Sequence, residues 1–156
     1  MGVIIGPTPW WQNNLIRACP VKTILPDGSA IICKNGGTAW IVAPYCTEVN
    51  TTWNNFALSG YTTVGNKPCI CDWPVLNTRL INCGFNPSDW FVPSLTELQM
   101  GYNCRSNWDT YSLACYWSST EGNSPTAFYI CFLNSCQGGA GKSCPFCVRA
   151  FRKVTY

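Results

Sequence analysis

The sequence predicts an α+β domain held together by disulfide bonds, and three observations carry that expectation. Twelve cysteines stand in 156 residues with no histidine, a density typical of scaffolds in oxidising compartments and an even number that lets every thiol pair. Eight Trp, seven Tyr and seven Phe face only ten basic and seven acidic residues, so the core is aromatic and the surface weakly charged. Turn-bounded apolar runs flank two stretches of helical spacing, giving the order strands, two short helices, strands. A chain of this length forms one domain that buries roughly 70% of its unfolded surface.

Residues 1–18 open with Gly2, Gly6-Pro7 and Pro9, followed by Trp10-Trp11. This reads as an irregular arm, a docking segment ahead of a domain spanning residues 19–156. Its two tryptophans either meet a partner or cover the domain's own core. Residues 21–25 and 30–33 read as a β-hairpin around Pro26-Asp27-Gly28-Ser29. A turn at Asn35-Gly36-Gly37 leads to an apolar strand over residues 38–43, stopped by Pro44, which completes a three-stranded meander. Residues 45–71 lack a sustained period and read as loop, with a helical turn around residues 53–58.

A first helix is capped by Asp72, has Pro74 in its first turn, places Leu76, Leu80 and Cys83 on one face, and is closed by Gly84. A second begins at a capping box, in which Ser94 accepts from the amide of Glu97 and the Glu97 carboxylate reaches back to the amide of Ser94. Leu95, Leu98 and Tyr102 form its apolar face. Strands follow at residues 113–118, 126–133 and 146–154, separated by turns at residues 121–125 and at Gly138-Gly139-Ala140-Gly141. Tyr116 and Trp117 fill the core from a central strand, residues 118–121 turn the chain, and Arg149 pairs with Glu121 or Glu97 at the core edge. Cys115 and Cys131 fall on adjacent strands and form a disulfide candidate.

The net charge of +3 is small and the basic residues are scattered, which leaves no electrostatic footprint for nucleic acid. No run approaches the ~18 apolar residues of a membrane span. Gly6 stands where myristoylation needs Ser or Thr. Cys69-Ile70-Cys71 and Cys144-Pro145-Phe146-Cys147 could supply four thiolates to a structural zinc, but eight further cysteines then need their own account, so disulfides are favoured and no metal or cofactor is expected. The C-x-x-C pair also lacks the βαβ setting of a redox motif. Asn50-Thr51-Thr52 is a glycosylation sequon of a kind that arises often by chance.

Three motifs in order, Asp89-Trp90-Phe91-Val92-Pro93-Ser94-Leu95-Thr96-Glu97-Leu98, Tyr116-Trp117-Ser118-Ser119-Thr120-Glu121 and Val148-Arg149-Ala150-Phe151-Arg152, resemble the family typified by the C-terminal domain of the Legionella collagen-like adhesin. Upstream, Gly36-Gly37-Thr38-Ala39-Trp40-Ile41-Val42-Ala43-Pro44 and Thr47-Glu48-Val49 resemble short members encoded by tailed phages, including cyanophages. The resemblance implies a C-type lectin-like fold, with terminal strands paired to each other, two helices packed on them, and a looped second sheet carrying the ligand surface. It also implies a covalent tie from the first helix to the last strand, here Cys83 to Cys147.

Sugar-binding members of that fold hold calcium with Glu-Pro-Asn or Gln-Pro-Asp and a Trp-Asn-Asp strand, and neither is present; Asn107-Trp108-Asp109 has the letters in another order. The related formylglycine-generating fold oxidises through a cysteine pair, but no histidine serves as base here and paired cysteines are inert, so no enzymatic activity is expected. Residues 1–7 have no basic n-region and no long apolar run. Either a leader was removed or the protein leaves the cell by lysis, as phage virion proteins do, and Met1 fits the second.

The expected function is binding without catalysis by a virion or extracellular protein of capsid, tail or fibre. Its partners are other virion proteins and a host surface glycan or protein, and it acts as a homo-oligomer or in many copies. The expected contact residues are Tyr111, Asn123, Asn134, Gln137 and Lys142, in loops between the late strands, and Trp10 and Trp11 are the assembly candidates. A cement or fibre subunit assembled through the arm, and a secreted bacterial adhesin, are the alternatives.

Overall fold

The computed structural model describes residues 10–53, 73–123 and 125–156, with only the backbone of residues 10–12. It is an α+β fold of three α-helices and eight strands among the described residues. In chain order these are α1 (Trp10–Ala18), β1 (Ala30–Asn35), β2 (Thr38–Val42), β3 (Val49–Thr51), α2 (Pro74–Asn82), α3 (Leu95–Asn103), β4 (Cys115–Glu121), β5 (Thr126–Cys131), β6 (Gln137–Gly141), β7 (Phe146–Val148) and β8 (Phe151–Thr155). One sheet has the order β1-β2-β8 and the other β3-β7-β4-β5-β6.

The third strand of the first sheet is therefore the C-terminal strand, not residues 21–25. Lys22 takes φ 75°, which breaks the extended run, so the expected hairpin is reduced to the bridge Ile24↔Ala30 and the backbone bonds of Lys22 and Thr23 with Ile31 and of Leu25 with Ser29. The terminal strands share this sheet but do not pair with each other as expected: the last strand β8 pairs with β2, Thr38 to Val42 opposite Thr155 to Phe151, and β2 separates it from the first strand β1. In the second sheet the pairing is antiparallel except between β4 and β7, which run parallel at Tyr116↔Cys147, so the sheet is mixed. Residues 118–121 do not turn the chain: they continue β4 past a register shift. The glycine run at 138–141 is likewise a strand, the β6 edge, paired along its length with β5.

Two apolar clusters occupy opposite faces of β1 and β4. Ile31 and Trp117 belong to one with Leu76 and Leu80 of α2. Ala30, Ile32 and Tyr116 belong to the other with Leu98 of α3. Because successive strand residues point to opposite faces, a strand buried on both sides reads as an unbroken apolar run, which is why β1 shows no alternation.

The helices follow their local chemistry. Pro74 opens α2, with Trp73 rather than Asp72 at its cap; Asp72 lies outside the described residues. Gly84, at φ 88°, adopts the left-handed conformation that ends the helix. The capping box of α3 is formed as expected: Ser94 Oγ accepts from the Glu97 amide, and Glu97 Oε1 from the Ser94 amide, both at 3.2 Å. Gly101 lets α3 approach the sheet, since a Cβ there would lie 2.7 Å from Phe151 Cζ.

The third helix, α1, replaces part of the expected irregular arm. Gly2, Gly6, Pro7 and Pro9 all precede it, and the breaker-free stretch from Trp10 is free to wind. Ile16 is buried in the first cluster. Lys34 Nζ donates to the carbonyls of Ile16, Arg17 and Cys19 at the helix C-terminus, where a cation meets unpaired carbonyls and the negative end of the helix dipole. The remainder of the arm and the side chains of Trp10 and Trp11 lie outside the described residues, as do Cys69-Ile70-Cys71 and all but Trp53 of the helical turn expected at residues 53–58.

Candidate functional site

The chain crosses from one sheet to the other between β7 and β8, at Arg149 and Ala150. Arg149 is 1% exposed. Its Nε donates to Ala43 O at 2.7 Å, Nη1 to Glu48 Oε1 and Thr110 O at 3.0 Å each, and Nη2 to Asp109 Oδ1 at 2.5 Å. Four of its five N–H donors are thereby used. The guanidinium also lies 5.2 Å from the Trp108 ring and 5.4 Å from that of Tyr45. A buried cation needs such saturation to repay its lost hydration.

The expected partners Glu121 and Glu97 are engaged elsewhere. Glu121 pairs with Lys142, and Glu97 meets Lys153 and Trp40 Nε1, each at 3.2 Å. Glu48 and Asp109 take their place because two loops, at residues 44–48 and 109–112, fold over the sheet crossing. Their bonds continue outward: the Tyr116 hydroxyl donates to Glu48 Oε1, Ser112 Oγ donates to Glu48 Oε2, and the Tyr45 amide donates to Asp109 Oδ2 at 2.8 Å. Burial, then the Glu48 carboxylate, push the Tyr116 hydroxyl well above the ordinary tyrosine range. The fold thus holds this proton more tightly than the unfolded chain does. Its contribution to stability is complete below about pH 10 and is lost as pH rises further. Tyr116→Phe is expected to lower stability at neutral pH and to flatten its decline above pH 10, read from urea midpoints across pH 8–11.

Cys147 sits against the same cluster, with Asn50 Nδ2 4.0 Å from its sulfur. Burial, then Glu48, raise its thiol pKa, so it stays protonated at neutral pH and is a poor nucleophile. The expected bond between Cys83 and Cys147 is not formed in the structure, where both are free thiols; the Cys83 thiol lies 3.3 Å from Cys46 O. The loop at residues 44–48 brings Cys46 over the end of α2. Cys115 and Cys131 face each other across β4 and β5 and are bonded.

The five expected contact residues divide between the two ends of β5. At one end Asn123 is exposed and turns the chain, its carbonyl accepting from the Thr126 amide at 2.9 Å. Lys142 is at the same end but is 5% exposed, paired with Glu121 and 4.7 Å from the Trp53 ring. It is a core-edge cation and not a surface contact. At the other end Asn134 and Gln137 are exposed; Asn134 Oδ1 accepts from the Cys136 amide at 3.1 Å, and Gln137 reaches Gln99. Tyr111 is half-buried, edge-on to Trp108 and Phe132, and supports this end from beneath.

Two residues of that end carried no signal in the sequence. Leu113 and Leu133 are each 65% exposed and flank the Phe132 N–H to Ala114 O bond of 2.9 Å that extends the β4–β5 pairing. Tyr45, Asp109 and Ser112 continue the surface, with the Tyr45 hydroxyl 3.4 Å from Ser112 Oγ. The result is a rim of Tyr45, Asp109, Leu113, Leu133, Asn134 and Gln137, backed by the Arg149 network and the Cys115–Cys131 bond. Such a surface presents two apolar side chains among polar ones on a fixed base, which is the chemistry of contact.

No protein-family model matches the chain, and no curated protein matches it. Among the described residues no group of three or more His, Cys, Asp or Glu is placed to hold a metal, and no helix is long and apolar enough to cross a membrane.

Proposed function

We propose that the chain is a non-catalytic binding protein of a virus particle, with a C-type lectin-like domain that presents the rim around Leu113 and Leu133 to a host surface. The observation that carries this reading is the placement of two exposed leucines on loops that are each held in place: the one before Leu113 at Asp109 and Thr110 by the buried Arg149, and the one with Leu133 by the Phe132–Ala114 backbone bond and the Cys115–Cys131 disulfide. Loops held in shape before contact lose less ordering entropy when they bind. Arg149 has four of its donors committed within the protein, and the Cys147 thiol is held protonated; both features favour a supporting role over a chemical one. The virion assignment is supported by the likeness of residues 36–44 and 47–49 to short phage-encoded members of the adhesin family that the motifs of residues 89–98, 116–121 and 148–152 resemble.

The test is a Leu113→Glu, Leu133→Glu double variant. Both side chains are exposed, so each change is expected to alter stability by no more than about 0.5 kcal/mol. Fluorescently labelled protein carrying both changes should lose binding to host cell envelopes by tenfold or more while its thermal unfolding stays where it was. Undiminished binding by a folded double variant would remove the rim from the account.

A further inference from the structure

Two pairs of cysteines meet at the ends of helices. Cys104 is the C-cap residue of α3 and Cys83 that of α2. The Cys104 amide donates to Met100 O at 3.0 Å, and the Cys33 sulfur, on β1, lies 4.0 Å from the same carbonyl. One backbone oxygen thus fixes both residues at the last turn of α3. At the other helix, the Cys83 sulfur lies 3.3 Å from Cys46 O, and Arg79 Nη1 reaches Cys46 O and Glu48 O at 3.4 and 3.1 Å, which clamps the loop carrying Cys46 over the end of α2. All four are thiols in the structure.

We propose that Cys33 with Cys104, and Cys46 with Cys83, are disulfide partners in the mature protein. Each bond fastens the C-terminal cap of a helix to chain that precedes it, β1 for α3 and the loop after β2 for α2. The pairs are nested in sequence, and they close α3 onto the first sheet and α2 onto the loop that joins β2 to β3. The side-by-side placement is echoed in the thiol acidities. Burial, then the neighbouring Cys104 thiol, push Cys33 up to about 12, and burial, then Cys46, raise Cys83.

The oxidant is a small-molecule disulfide such as oxidised glutathione. A thiolate of the pair attacks it, forming a mixed disulfide and releasing one glutathione thiolate. The second cysteine's thiolate then displaces the other glutathione, so two protein thiols become one disulfide and two glutathione thiols carry away the two protons and two electrons. Since a thiol raised to about 12 is almost wholly protonated at neutral pH, the exchange belongs to folding, before Cys33 is covered.

The full chain is refolded with oxidised and reduced glutathione, blocked with iodoacetamide, and digested without reduction by trypsin together with a glutamate-specific protease. Cleavage after Lys34, Glu48, Arg79 and Glu97 puts the four cysteines on separate peptides. Mass spectrometry should find the Cys33 peptide joined to that of Cys104 and the Cys46 peptide to that of Cys83, with Cys115–Cys131 bonded in the same digest. Cys46→Ser should make Cys83 the newly alkylated residue. If any of the four is carbamidomethylated in the oxidised wild-type chain, or if Cys83 is joined to Cys147, the assignment is overturned. This outcome is independent of whether the rim binds anything.

Discussion

Arg149→Met is expected to destabilise the protein by about 3–5 kcal/mol, because it strands the buried Glu48 carboxylate and leaves Asp109, at the surface edge, without its partner rather than merely removing one charge. The Glu48 side chain is 8% exposed and that of Asp109 24%, so neither recovers full hydration when the guanidinium is gone. The carbonyls of Ala43 and Thr110 lose their donor as well. For a domain of this size the loss corresponds to roughly 10 °C or more in Tm. Glu48→Gln placed on the same background should recover part of it, since the stranded charge is removed, the amide oxygen can still accept from Tyr116, and the amide NH2 can donate to the Ser112 hydroxyl. If Arg149→Met unfolds within about 1 kcal/mol of wild type, the network carries no stability, and the loops at 44–48 and 109–112 are held by other contacts.

Trp108→Ala should cost a comparable 3–5 kcal/mol, here through a cavity instead of a charge. Its ring stands edge-on to Tyr111, Tyr116, Phe132 and Phe151, at centroid distances of 6.2, 6.0, 5.2 and 5.7 Å, and its Nε1 donates to Gly101 O at 3.1 Å. Such pairs add about 0.5–1.5 kcal/mol each beyond buried area. Gly101, Phe151 and Trp108 are mutually close-packed, so the site cannot collapse around the missing ring. Trp108→Phe should lose less, as it keeps most of the volume. Hydrogen exchange offers a second readout: amides of residues 109–113, which rest on this ring through Tyr111, should exchange faster in Trp108→Ala than those of β2 and β8.

The two variants separate what was legible in the sequence from what was not. The helix at residues 74–82, the capping box at Ser94 and Glu97, and the buried Tyr116-Trp117 pair on a central strand were all readable because each depends on neighbours within a few residues. The same holds for Cys115 opposite Cys131, which follows once two strands are joined by a short turn. Arg149 was readable as a buried cation, from the scarcity of charge, but its partners were not. Glu48 and Asp109 lie far along the chain in loops without periodicity, and only the crossing between the two sheets brings them together.

The other differences have the same origin. Strand β6 is Gln-Gly-Gly-Ala-Gly, residues with little intrinsic preference for a strand, and it forms because β5 offers a ladder to pair with. Lys22 gives no sign in its side chain that its backbone turns left-handed. Lys142 follows a glycine run that looks like a surface turn, yet it is drawn inward by Glu121 and the face of Trp53. For the candidate site, Asn134 and Gln137 were found as polar turn residues, whereas Leu113 and Leu133 were hidden, since an exposed leucine and a core leucine are the same letter.

The most direct test of the central claim is to fractionate a lysate of the host in which the gene is expressed on a density gradient, and to examine each fraction by mass spectrometry under non-reducing conditions. The account predicts that the chain co-sediments with intact virus particles and that its Cys115–Cys131 peptides are disulfide-linked there. Recovery of the chain only in the soluble cytosolic fraction, with those cysteines reduced, would contradict it.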